Sequence, residues 1–303
     1  MGDNLNRQVL ENDSGRETHL SAPSTAETRR PERAPLRVRW RDQLRIGLGS
    51  KWIALAGYGR GLRPSLNRKE IIAVESSEDA ASWQAAADAL PAALASQVRR
   101  RTDVTVILSN HFVRYALLPW NAALKTHSEW LALARHRFST VHGPIAEDWV
   151  IRITETGRGC PRIASAIDRT LLTALQRNIS GRAALVSVQP YLMAAFNRLR
   201  AVMGEASCWL VVEEPGRLTL ALIENGVWRA IRGRRKDEFW RMTLSEILER
   251  ESALLALEEP CTTVIVCTHI PFDTHIHGAY ELRDLTVAPG GAASDRELAM
   301  ALE

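Results

Sequence analysis

Cysteine is scarce in this chain, and the four present keep no useful spacing. Cys160, Cys208, Cys261 and Cys267 form no C-x-x-C pair. That argues against a disulfide framework or a zinc site and suits packed thiols in a reducing compartment. Long apolar runs are missing as well. No stretch approaches the roughly 18 uncharged apolar residues of a membrane span. Residues 1–20 are polar, without the apolar core of a secretory leader, so a cytoplasmic protein is expected. Phe is sparse, five against nine Trp. A buried Trp needs an acceptor for its N–H, so several are expected at the edges of packed units or at an interface. Common enzyme signatures are absent too. The chain has no G-x-x-x-x-G-K-S/T and no G-x-S-x-G, and its early Gly-bearing turn leads into a strand rather than the helix of a dinucleotide fingerprint.

What remains is an ordinary soluble composition, 46% hydrophobic and 24% charged over 303 residues, enough for two domains or lobes. A net charge of +4 permits an acidic partner or an anionic surface without requiring either. Residues 1–40 are rich in Arg, Glu, Ser, Thr and Pro, which predicts a disordered tail. Arg29, Arg30, Arg33, Arg37, Arg39 and Arg41 make it a solubilising extension or, alternatively, a tether for an acidic protein, nucleic acid or lipid headgroups.

Periodicity then predicts strands at 44–50, 51–58 and 69–75. A helical run follows over 78–98, kinked or split by Pro91. Further strands are expected at 104–108 and 112–118. Thr126-His-Ser-Glu129 is a capping-box pattern opening a helix with Trp130, Ala134 and Phe138 on one face. A hairpin follows over 149–167. Asp168 caps the next helix, 184–188 is a short strand, and Pro190 starts a helix ending at Gly204. A second hairpin spans 209–223 and a third strand 227–232. A long helix is read over 236–257, and strands over 262–268 and 280–287.

Three strands, a helix and a strand therefore occur twice. Such duplication is the ribonuclease-H-like architecture of actin-type proteins, an α/β fold with two lobes around a cleft. The expected division is 1–40 tail, 41–168 N-terminal lobe, 169–290 C-terminal lobe and 291–303 marginal tail. Ile46-Gly-Leu-Gly-Ser-Lys51 with its following apolar strand resembles the first phosphate loop of the pilus-assembly proteins PilM and MshI, to which the cytoplasmic domain of the secretion protein GspL is related. Residues 106–120 resemble the strand pair before a helix in such proteins, and Leu218-Thr-Leu-Ala-Leu-Ile-Glu-Asn-Gly226 resembles their second-lobe hairpin. The resemblance covers roughly 44–288. It implies an actin-like component of an inner-membrane assembly platform for a type IV pilus or type II secretion-like system, binding a cytoplasmic segment of a bitopic membrane protein.

The departures from that pattern matter. The family's Asp-x-Gly-Ser/Thr reads Gly47-Leu-Gly-Ser50 here, and its second Asp-x-Gly reads Val212-Glu-Glu214. Gly49, Ser50, Lys51, Glu213, Glu214 and Gly216 are thus vestigial phosphate-loop positions. A carboxylate facing polyphosphate without a metal costs about 4 kcal/mol per pair at ~4 Å and an effective dielectric of ~20, unless magnesium bridges it. The residues after the late strand, Val264 to Phe272, lack the family's adenosine-binding glycines. The expectation is a non-catalytic scaffold with no cofactor. The alternative is a divergent Mg-ATP enzyme using Ser50, Lys51 and Glu213 or Glu214.

Three other constellations have quieter readings. Cys267, His269, Asp273, His275 and His277 read as a polar loop, with a metal-dependent hydrolase as the other possibility. Ser109-Asn-His111 reads as turn chemistry. Arg99-Arg-Arg101 and Arg232-Gly-Arg-Arg-Lys236 read as charged element ends, or as a docking surface for an acidic segment or lipid phosphates. Nucleic-acid binding is not expected, because stacking aromatics are not interleaved with these charges. Trp120, Trp130 and Trp149 bracket one helix and read as packing or as anchors for a partner.

Overall fold

The computed structural model describes residues 41–61, 65–75, 83–95, 102–204, 206–257, 259–268 and 280–284. The two tails, the Arg99–Arg101 cluster and the His269–His277 loop lie outside the described residues. The first sheet comprises β1 (Gln43–Leu48), β2 (Trp52–Tyr58), β3 (Leu66–Ala73), β4 (Asp103–Leu108) and β8 (Ala184–Pro190), in the order β3-β2-β1-β4-β8. The second comprises β9 (Cys208–Glu214), β10 (Arg217–Glu224), β11 (Val227–Arg235), β12 (Thr263–Cys267) and β13 (Glu281–Asp284), in the order β11-β10-β9-β12-β13. Both open with an antiparallel meander and finish with two parallel strands. The duplication expected from the strand rhythm is therefore present. A third, three-stranded sheet, β5-β7-β6, is built from β5 (Arg114–Leu118), β6 (Trp149–Ile153) and β7 (Arg162–Asp168).

Helices cover these sheets according to their apolar faces. α1 (Gln84–Ala95) and α3 (Arg169–Ile179) bury Leu90, Leu94, Leu171 and Leu175 against Leu44, Ile46 and Leu48 of β1. α2 (His127–His142) lays Trp130, Ala134 and Phe138 on the small sheet. Trp120 lies 6.0 Å from Trp130, and Trp149 lies 5.8 Å edge-on to Phe138. These aromatics build a local core around α2. α5 (Leu244–Leu254) covers one face of the second sheet with Leu244 and Leu248.

Strand β9 is buried along its whole length. Its side chains alternate between two cores, as the pleat requires. Trp209 and Val211 join the core under α5. Cys208, Leu210 and Val212 join a core with Ile107 of β4, Ile163 of β7 and Tyr191, Leu192 and Leu199 of α4 (Tyr191–Met203). The two halves thus share one apolar core.

Local signals behave as the sequence predicts. Thr126 and Glu129 complete the capping box, and Asp168 accepts from Thr170 N at 2.8 Å. Three expectations are corrected. Of the two readings of Pro91 the split is overturned, since α1 is one helix from Gln84 to Ala95 and a neighbour satisfies the carbonyl that the proline leaves free. The helix read from 236 begins at Leu244. The preceding segment continues β11 to Arg235 opposite Arg217, and Lys236 N donates to Gly216 O. Residues 169–190 belong with the first sheet, since β8 pairs with β4 and α3 packs on α1. Sequence order had grouped them with the second lobe.

Candidate functional site

The two candidate phosphate turns have distinct fates. In the first, Gly49 N donates to Trp52 O at 3.0 Å, closing a tight turn. The Trp52 ring lies directly over Gly49, where any Cβ would meet it. Trp52 also packs against the core shared by the halves. Ser50 is half-buried and the Lys51 side chain is exposed.

In the second turn, Gly216 adopts φ +73°, a conformation that glycine tolerates freely. The two acids before it are buried, at 4% and 2% exposure, and point to opposite faces of β9. Glu213 follows Trp209 and Val211 toward the α5 side. It accepts from Lys236 Nζ at 2.7 Å and from Thr268 Oγ1. Glu214 follows Leu210 and Val212 toward the first half. There Ser109 Oγ donates to Oε1 at 2.5 Å, and Asn110 N donates to Oε2 at 3.0 Å.

Ser109, Asn110 and His111, read from sequence as an ordinary turn, are therefore a clasp on the second hairpin. His111 N donates to Ser109 Oγ at 3.2 Å, so the serine hydrogen is directed at Glu214. His111 Nε2 donates to Pro215 O at 3.0 Å, which places the ring proton on Nε2. Asn110 is fully buried. Its Oδ1 accepts from Tyr115 Oη at 2.6 Å and from Leu192 N at 3.1 Å. Burial pushes the Glu214 carboxyl above the usual range, while Ser109, Asn110 and the Arg217 charge pull it down. Burial lowers the His111 imidazole against the Pro215 bond, and Arg217 and Arg114 lower it further. Sequence gave no signal for the clasp beyond a polar trio after a buried strand. Its partner lies 105 residues away.

Three of the four basic residues between Arg232 and Lys236 are partnered within the chain. Arg234 and Arg232 both reach Glu251, at 3.1 and 3.5 Å, and Lys236 holds Glu213. These acids and bases are partnered by other side chains of the same chain. Among the described residues, no group of three or more His, Cys, Asp or Glu is arranged to hold a metal ion.

A separate groove of about 320 Å³ runs between β8 and β6, with α3 alongside. Among the described residues, each of these strands is the last in its sheet. Apolar Val150, Leu172 and Val186 line the groove with polar Arg152, Ser165 and Gln176. Val186 is 56% exposed.

No protein-family pattern matches the sequence. No characterised protein matches it at the sequence level. Solved structures do match. The cytoplasmic domain of EpsL, an inner-membrane component of the type II secretion system of Vibrio cholerae, aligns with TM-score 0.55 at 14% identity over 86% of this chain and 94% of that one. The PilM–PilN type IV pilus biogenesis complex aligns with TM-score 0.53 at 15% identity over 74% and 80%. A Bacteroides thetaiotaomicron protein with actin-like ATPase fold and unknown function gives 0.52 at 10% identity over 76% and 83%. At such identities the likeness establishes the fold, which is actin-like.

Proposed function

We propose that this chain is a non-catalytic actin-like scaffold that receives an extended cytoplasmic segment of an inner-membrane protein in a pilus or secretion assembly platform. The observation that carries the reading is the groove between β6 and β8. Among the described residues β8 is the last strand of its sheet, and the slot beside it is walled by Val150 and Arg152 of β6 with their cross-strand partners Ile167 and Ser165 of β7, so an extended peptide can add main-chain hydrogen bonds to β8, the usual economy of strand addition. Val150, Leu172 and Val186 offer apolar seats, and Arg152 offers a cation for an acidic or carbonyl group. Two structural neighbours come from such platforms, one as a complex of two assembly proteins and one as an inner-membrane component. In this reading the protein works in the cytoplasm against the inner membrane. Among the described residues no helix is long and apolar enough to cross it.

The commitment of Glu213 and Glu214 to protein donors supports the non-catalytic side of the reading. A magnesium nucleotide needs acids with free oxygens, and these two are engaged by Lys236, Thr268, Ser109 and Asn110.

Co-expression with bitopic inner-membrane pilus or secretion proteins tests the proposal. A complex that survives purification is expected, and Val186→Asp should weaken it by more than about tenfold, since a charge would be desolvated in the slot. Failure of every such protein to co-purify overturns the reading. In parallel, Mg-ATP at ~1 mM should leave the melting temperature unmoved, because a ligand that binds the folded state must raise it. A rise of several degrees would favour the nucleotide enzyme instead.

A further inference from the structure

We infer that the groove beside β8 selects an acidic extended segment, one that carries an Asp or Glu two residues from an apolar side chain. The inference rests on the scaffold reading and names the chemistry that its groove takes. Val150 of β6 stands opposite Ile167 of β7, and Arg152 stands opposite Ser165. All four line the groove, so its wall is an apolar row beside a polar row. Residues two apart on a strand face one side and are separated by about 6.6 Å. An extended segment in the groove has the same repeat. A side chain seated on the apolar row therefore brings the one two positions away over Arg152.

The polar row is supplied with donors and short of acceptors. Among the described residues, the Arg152 guanidinium, the Ser165 hydroxyl and the Gln176 carboxamide have no ion pair or hydrogen bond. A guanidinium has donors only, arranged in a fork that a carboxylate matches. Val150, Ser165 and Ile167 are half-buried, so a pair formed on this wall is less screened than one on open surface.

Strand β8 sets the register. Leu185 pairs with Val104 and Ser187 with Thr105, which leaves Val186 as an extra residue. With that bulge Leu185 and Val188, three positions apart, both pack on the core that α1 and α3 cover. An extra residue shifts the outward N–H and C=O groups by one position. A regular strand can then pair with the edge on one side of the bulge only. Residues 187–190 are the longer side, and Pro190 has no N–H to give. The ladder is short, and a segment held by it cannot slide to bring a different residue against Arg152.

The test uses the full chain and synthetic heptapeptides, acetylated and amidated so that only side chains carry charge. Each has one Leu and one Glu in a Thr background, spaced by one, two or three positions in either order, with Glu-free peptides as controls. Binding is read by fluorescence anisotropy. Two-residue spacing should bind about tenfold more tightly than the other spacings. The advantage should shrink between ~50 mM and ~500 mM salt. Arg152 is exposed, so Arg152→Glu should keep the wild-type melting temperature and lose the preference. If Arg152→Glu does not fold, Arg152→Gln takes its place. Equal binding at all spacings overturns this inference, and so does a preference that survives in the Arg152 variant. Either result, with the Glu-free controls bound, leaves strand addition standing. Binding of no peptide at all overturns this inference and strand addition together.

Discussion

Asn178 shows one side chain repairing a helix that its sequence should break. Pro91 has no N–H, so the Ala87 carbonyl one turn earlier lacks its helical partner. Asn178 Nδ2, on α3, donates to that carbonyl at 2.7 Å, and Arg182 Nη1 caps the Pro91 carbonyl at 2.9 Å. Asn178→Ala should cost about 1–3 kcal/mol in denaturant unfolding, the penalty for a buried acceptor left unmade. Asn178→Ala in a Pro91→Ala background should cost less, because the helix then supplies its own N–H. His111 makes a separate prediction. Its folded-state pKa is lowered, so the unfolded state binds the proton more readily. Stability should therefore rise with pH from the lowered value up to about 6.5 and level off above it. Glu214, raised, works the other way. Its contribution is present below about 4.5 and declines as pH climbs to its raised value. His111→Gln should flatten only the first slope and Glu214→Gln only the second, as read by denaturant titrations across pH.

At the scale of elements, what could be read in the sequence was whatever acts locally. The box at Thr126 and the cap at Asp168 depend on residues three or fewer positions away. Thr126→Ala should lower stability by about 1 kcal/mol in thermal or denaturant unfolding. The rescue of α1 depends on a residue 91 positions on, and so the proline alone predicted a kink or a split. A separation of 105 residues likewise hid the clasp. Strand alternation did hold part of the answer, since Glu213 and Glu214 must face opposite sides of β9 and cannot serve one ligand together. The run from Arg232 to Lys236 misled in the other direction. Its charge suggested an element end or a docking surface, while Glu251 and Glu213 hold Arg232, Arg234 and Lys236 in strand β11 and its continuation. Gly49→Ala tests the first turn, where the added methyl must displace the Trp52 ring. A loss of roughly 1–3 kcal/mol is expected, typical of overpacking.

Across the whole molecule, two sheets of like order are joined by a core drawn from β4, β7, α4, β9 and β12. The strand rhythm revealed the duplication, but it could not show that β8 and α3 complete the first sheet. Sharing this core couples the halves. Calorimetry of the purified protein should give one unfolding transition, and two well-separated peaks would contradict a joint core. The 105 residues between Ser109 and Glu214 also set a schedule for synthesis. At about 5–20 residues per second, the ribosome delivers the second hairpin roughly 5–20 s after the first sheet's central strands. Through that interval Ile107 and the Asn110 carboxamide sit uncovered in the nascent chain. The newborn first half thus waits for its own later sequence to cover these groups.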